Sequence, residues 1–271
     1  MDKLIQHQLK ETVAYINSRN KLKPKITIIL GSGLGDYAEN LEIKSSIDTA
    51  TIPHYPQSTV EGHKGKLIFG LLKNKPILVF QGRVHYYETG TLNSILYPIL
   101  VAHKLGVKTI IATNAAGGVN RQFHPGDLML IKDHVNLTFL NPLSLISKSS
   151  KISCHQIYDL SFNELIIKTA EKENIPLREG VYVGVKGPSY ETASEVEMVH
   201  RIGGDAVGMS TVNETAFAKA LGMKVAGISC ITNYATGVTS AKLHHSEVTA
   251  VANMVKQRFS NLITAILTNV R

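Results

Sequence analysis

The stretch "ITIILGSGLGD", residues 26–36, decides how the chain is read. Its first five residues are apolar or β-branched with no polar alternation, the pattern of a strand buried on both faces. Gly31, Ser32, Gly33 and Gly35 follow at the strand's carboxyl end, where the backbone N–H groups of a glycine loop can hold an anion. A buried strand running into such a loop opens an α/β sheet, in which ligands bind beyond the carboxyl ends of the strands.

Outward from this unit, strand and helix alternate. An amphipathic helix is expected over 3–19, and "KLIFGLL" (66–72) and "PILVFQG" (76–82), parted by "KNK", read as a hairpin. A helix near 92–105, closed by Gly106, feeds the strand "TIIATN" at 109–114. Further strands are expected at "DLMLI", "GVYVGV", "DAVGM" and "VAGISCIT", with helices near 161–174, 192–202, 213–221 and 245–268. The class is α/β: a single domain over residues 1–271 with a central mixed β-sheet flanked by helices. At 44% hydrophobic and 18% charged residues the chain can bury one large core, and no linker or repeat divides it.

Composition narrows the function. The formal charge of +8 comes from Lys and Arg scattered in ones and twos without interleaved aromatics, which argues against nucleic acid and suits an anionic substrate. Cys154 and Cys230 lack C-x-x-C spacing and read as free thiols. No H-E-x-x-H occurs among the histidines, so no metal is expected. No apolar run reaches the length of a membrane span and the opening "MDKLIQHQLKE" lacks an apolar signal core, so a cytoplasmic protein is expected.

Every strand exit is polar or glycine-rich: "GSGLG", "QGRVHYYE", "NAAGG", "GPSYE", "GMS" and "TNYATG". Together they read as one composite site. A dinucleotide fingerprint fails because Asp36 stands where the third glycine belongs, and a Walker loop fails for want of G-K-[ST]. A tight glycine turn without a ligand is the other reading of the loop. The glycine loop with the Ser32 hydroxyl, a bidentate fork from Arg83 and a ring N–H from His63 in "STVEGHKGK" would together hold a single, unattached phosphate.

"ILGSGLG", "STVEGHKGKL", "QGRVHYYE", "TNAAGGVN", "GDLMLIKDHVN", "GPSYETASE", "DAVGMSTVNE" and "ISCITNYATG" follow one another in an order and spacing that resembles the purine nucleoside phosphorylases, over roughly residues 5–268. The match is to the trimeric kind that prefers 6-oxopurine nucleosides. This resemblance implies reversible phosphorolysis of inosine, guanosine and their deoxy forms to a free purine and (deoxy)ribose 1-phosphate, with inorganic phosphate as co-substrate and no cofactor. It implies a homotrimer with no nucleic-acid or membrane partner. Phosphate would be held by Ser32, His63, Arg83, His85, the Asn114–Ala115 backbone and Ser210. Tyr87, Met209 and His245 would contact the ribose, and His244 would be surface. Tyr190, Glu191, Thr232 and Asn233 would bind the base, with Asn233, Glu191 and His85 in the catalytic roles.

Two departures from the family pattern stand out. The segment 144–157 ends before Tyr158–Asp159 without the Arg-Phe-Pro-like run that lends an aromatic lid to the neighbouring subunit, so the lid residue is open; "STVNE" replaces "STVPE". Alternatives remain at this point. A xanthosine-preferring member shares most of these motifs, a nucleoside hydrolase would need a clustered aspartate motif, and a non-catalytic purine-binding protein would need no phosphate loop. Asn233, where a 6-aminopurine enzyme is expected to carry aspartate, argues against methylthioadenosine as substrate.

Overall fold

The computed structural model of the chain describes residues 3–60, 62–145, 156–239 and 245–270, except the side chains of 144, 245–249 and 252. Helix α1 (Lys3–Arg19) leads into β1 (Ile26–Leu30), all five of whose residues are buried. Ile29 points into the core beneath α1 and Ile28 and Leu30 into the opposite one, as a strand covered on both faces requires. Each such side chain contributes about 1.5–3 kcal/mol through burial.

The expected hairpin forms as β3 (Lys66–Leu72) and β4 (Lys75–Gln81). Its two-residue turn places Lys73 at φ 47° and Asn74 at φ 66°, the doubly left-handed geometry that matches strand twist. Before it comes β2 (Glu42–Asp48), an edge strand absent from the sequence reading because most of its residues are exposed and polar. After it come the one-turn helix α2 (Tyr86–Thr89), α3 (Leu92–Lys104), β5 (Thr109–Gly118) and β6 (Leu128–Asn136). Helix α4 (Leu160–Lys172), capped by Asp159, precedes β7 (Arg178–Gly184) and α5 (Ala193–Arg201), capped by Thr192. The chain continues through β8 (Ala206–Gly208), α6 (Val212–Ala220), β9 (Lys224–Tyr234) and α7 (His245–Asn269).

The strands form one mixed sheet in the order β2-β3-β4-β1-β5-β8-β7-β6-β9, and β9 also pairs with β5. The last five strands therefore close into a ring. Two expectations are corrected here. The expected strands "TIIATN" and "VAGISCIT" end at Asn114 and Thr232, and the rest of "NAAGG" and "TN" is expected as loop, yet β5 and β9 run on in parallel through residues 115–118 and 233–234, so Ala115 and Asn233 lie inside strands. Between Ala116↔Ile231 and Gly117↔Asn233 the register shifts, leaving Thr232 as the extra residue of a bulge. Bulges bend a strand and re-aim its side chains, and this one lies where β5 and β9 meet the cleft.

Candidate active site

Strand exits converge on one cleft. Ser32, Arg83, His85, Tyr87, Asn114, Ala115, Tyr190, Glu191, Met209, Ser210, Thr232 and Asn233 all line it. Of the other residues expected there, one is displaced and one cannot be placed. His63 stands behind Ser32, and the side chain of His245, the first residue of α7, lies outside the described residues. Residues 146–155, with Cys154 and most of the expected lid, and His244 lie outside them as well.

The glycine loop reaches the cleft by close approach of two backbones. A Cβ on Gly31 would stand 2.7 Å from Cα of Asn114, so no larger residue lets the end of β1 run against β5. Thr113 braces the crossing: its hydroxyl donates to Ile29 O at 2.8 Å and accepts from Gly31 N at 3.3 Å.

His63, His85 and Tyr87 form a stack, with ring centroids 5.3 Å and then 5.0 Å apart. Burial, with the charges of His85 and Arg83, pushes the His63 pKa down to about 4, so its ring is neutral at pH 7. Nδ1 of His63 faces the Arg83 backbone, 2.8 Å from its carbonyl oxygen and 3.3 Å from its N–H; the closer partner can only accept, which places the proton on Nδ1. Nε2 is then an acceptor and takes the Ser32 hydroxyl at 3.3 Å. The ring N–H expected to reach an anion is thus spent on the backbone, and His63 presents an acceptor instead.

Glu88 fixes His85. It accepts from His85 N at 2.6 Å and from Nδ1 at 3.1 Å, and also takes the Ser58 and Thr59 hydroxyls and the Thr59 N–H. Burial opposes its charge, but these hydrogen bonds outweigh it and hold the carboxyl at about 2. The glutamate therefore directs Nε2 of His85 away from itself. Neither it nor Glu214 was singled out in the sequence, although His85-x-x-Glu88 has the spacing that lets side chains one turn apart meet.

Arg83 departs from the expected fork. Nη1 donates to Glu214 Oε2 at 2.9 Å and to Thr211 Oγ1 at 3.0 Å, while Nη2 donates to the carbonyl of Thr113. Its terminal nitrogens are engaged within the protein. Nε, also buried, finds no partner among the described residues.

On the far side, Asn233 is held by both ends of its amide. Thr232 Oγ1 donates to Oδ1 at 2.9 Å and Nδ2 donates to Tyr234 O at 3.0 Å. Glu191 precedes the capping box of α5, which Thr192 and Glu195 complete, so it is not the helix's own capping carboxylate. Burial raises its pKa, aided by the charge of Glu195 and opposed by a hydrogen bond from its own N–H. Tyr190 forms the half-exposed wall beside it. Met209 and Tyr87 pack against the loop at Gly187. Among the described residues no group of three or more His, Cys, Asp or Glu side chains is placed to hold a metal ion, and no helix is long and apolar enough to cross a membrane.

Residues 25–268 match the model of the phosphorylase superfamily. Purine nucleoside phosphorylase 1 of Bacillus subtilis is 42% identical over 267 residues, covering 97% of this chain and 98% of that protein. Purine nucleoside phosphorylase of Bos taurus is 34% identical over 96% of this chain and 94% of its own. The crystal structure of Schistosoma mansoni purine nucleoside phosphorylase in complex with inosine superposes with a TM-score of 0.90 at 33% identity, covering 98% of this chain and 97% of that one. With a strand-exit cleft, a closed ring of strands and full-length similarity in agreement, the chain belongs to the purine nucleoside phosphorylases of the phosphorylase superfamily.

Proposed function

We propose that this chain catalyses the reversible phosphorolysis of 6-oxopurine nucleosides, with inorganic phosphate attacking C1′ of the ribose as the purine departs. The observation that carries the reading is the orientation of the Asn233 amide. With Oδ1 taken by Thr232 and Nδ2 bonded to Tyr234 O, the second Nδ2 hydrogen is left for a purine O6. Glu191 supplies an acceptor for N1–H across the same cleft. A 6-aminopurine reverses both partners, and unpaired polar groups in a closed site discriminate strongly.

Phosphate is already a nucleophilic anion, so the site's task is to place it and to stabilise charge. The Ser32 hydroxyl, Nε2 of His85 and the Ser210 loop surround the space beside the Asn114–Ala115 backbone. Neutral His63 acts from behind the cleft, accepting from the Ser32 hydroxyl and so orienting it. The ribose lies between Tyr87 and Met209, so that C1′ faces phosphate. Electron density released onto the purine is met at the imidazole edge by Asn233. No cofactor or metal takes part in this scheme, and the active species is a cytoplasmic homotrimer. Release of base from inosine, measured with and without phosphate, tests the proposal.

A further inference from the structure

Glu214 lies on the first turn of α6 with 4% of its side chain exposed. A single oxygen, Oε2, accepts from two donors: Arg83 Nη1 at 2.9 Å and the backbone N–H of Thr211 at 2.8 Å. These donors come from the exits of β4 and β8, and both exits line the cleft. A glutamate reaching back to the N-cap N–H is ordinary helix capping. Capping does not require burial or an arginine, however. In α5 the equivalent Glu195 takes the Thr192 N–H at 2.7 Å on the exposed surface. Carrying a charge pair into the interior costs desolvation that the exposed arrangement avoids.

The turn that Glu214 holds is strained. Thr211 sits at φ 73°, ψ −54°, and Val212 N donates to Ser210 O at 2.8 Å, closing a γ-turn that a β-branched residue rarely adopts. The turn gathers Ser210 Oγ, Asn114 Nδ2 and Arg83 Nη1 on the Thr211 hydroxyl, at 3.1, 2.9 and 3.0 Å. Arg83 is held by its Nη groups, and its Nε–H remains uncommitted among the described residues.

We infer that Glu214 is a positioning residue of the anion subsite: it fixes the orientation of the Arg83 guanidinium and the turn at Ser210 through one oxygen. The inference rests on the reading that this cleft binds phosphate. It is a matter of where the oxygen stands. A glutamine keeps an accepting oxygen at that place without the charge, whereas an aspartate keeps the charge and withdraws it by one methylene.

Steady-state kinetics on Glu214→Gln and Glu214→Asp, with phosphate and inosine varied separately, test the role. A lost charge-assisted hydrogen bond corresponds to roughly tenfold or more, so Glu214→Asp is expected to raise the phosphate KM by at least that factor. Glu214→Gln is expected to raise it by less than about threefold, with the inosine KM within about twofold in both, and competitive inhibition by sulfate following the same order. An unchanged phosphate KM in the aspartate variant, or equal changes in both substrates' KM, overturns the role. Should thermal melting show the aspartate variant unfolded, Glu214→Ala is read against Glu214→Gln: a phosphate KM at least about tenfold higher with alanine than with glutamine supports the role, and a smaller difference overturns it. If wild type releases base without phosphate, the phosphate reading itself falls; if wild type is phosphate-dependent and the variants behave alike, only the positioning role falls.

Discussion

The hydroxyl of Thr232, the extra residue of a bulge in β9, donates to Oδ1 of Asn233 at 2.9 Å and so sets which way the amide faces. Removing that donor frees one end of the amide while Nδ2 keeps its bond to Tyr234 O. Thr232→Val is expected to lower the inosine-to-adenosine ratio of kcat/KM by about 2- to 10-fold, the worth of one neutral hydrogen bond. Thr232→Ser is expected to restore it. An unaltered ratio in the valine variant would show that Thr232 does not orient the amide.

Asn233→Asp changes the chemistry at the same point. The carboxylate accepts from a 6-amino group and repels O6, so inosine turnover should drop and the gap to adenosine should narrow. Adenosine need not become a good substrate, because Glu191 still faces the unprotonated N1. The comparison is kcat/KM for both nucleosides in both proteins; an equal ratio would remove Asn233 from base recognition.

Gly208 offers a purely steric prediction. A Cβ there would lie 2.4 Å from the Tyr182 hydroxyl and 3.2 Å from the ring carbon bearing it. Gly208→Ala is expected to destabilise the fold by about 1–3 kcal/mol, as overpacking does. Tyr182→Phe removes the nearest atom and should recover part of that loss in the double variant. Strict additivity in chemical denaturation would contradict the contact.

Stability should fall on the acid side well before ordinary carboxylates titrate. His63 and His134 have folded pKa values pushed down from 6.5 to about 4, chiefly by burial. Between those values the unfolded chain binds protons that the folded chain refuses, so stability is lost as pH falls from about 6.5 towards 4. Glu88, lowered from 4.5 to about 2, adds a loss of the same sign further down. On the alkaline side, Tyr37, Tyr87 and Tyr182 are raised from 10 to about 12 by burial, so stability should decline above about pH 10. Thermal melting across pH checks this, and His134→Gln should make the acid limb shallower. A Tm that is flat from pH 7 to 4.5 would contradict the buried neutral histidines.

Much of this was legible because it is local. The bounds of α1, the hairpin and the buried β1 follow from periodicity and turn chemistry, and the polar strand exits mark the cleft. The rest depends on partners far apart in sequence. The exposed face of β2 erases its apolar signal. The extension of β5 beyond Asn114 and of β9 beyond Thr232 accompanies the closing of the strands into a ring, a tertiary fact that no local pattern carries. Arg83 reads as a free fork until Glu214, remote in sequence, is placed against it. The proton of His63 is likewise settled by the carbonyl of Arg83 and not by its own neighbours.

The central claim is that the cleft joins phosphate to a sugar carbon, and product identity with inosine tests it most directly. With phosphate present, hypoxanthine and ribose 1-phosphate should form in equal amounts, and without phosphate base release should cease. Undiminished release of hypoxanthine with free ribose in phosphate-free buffer would contradict the account.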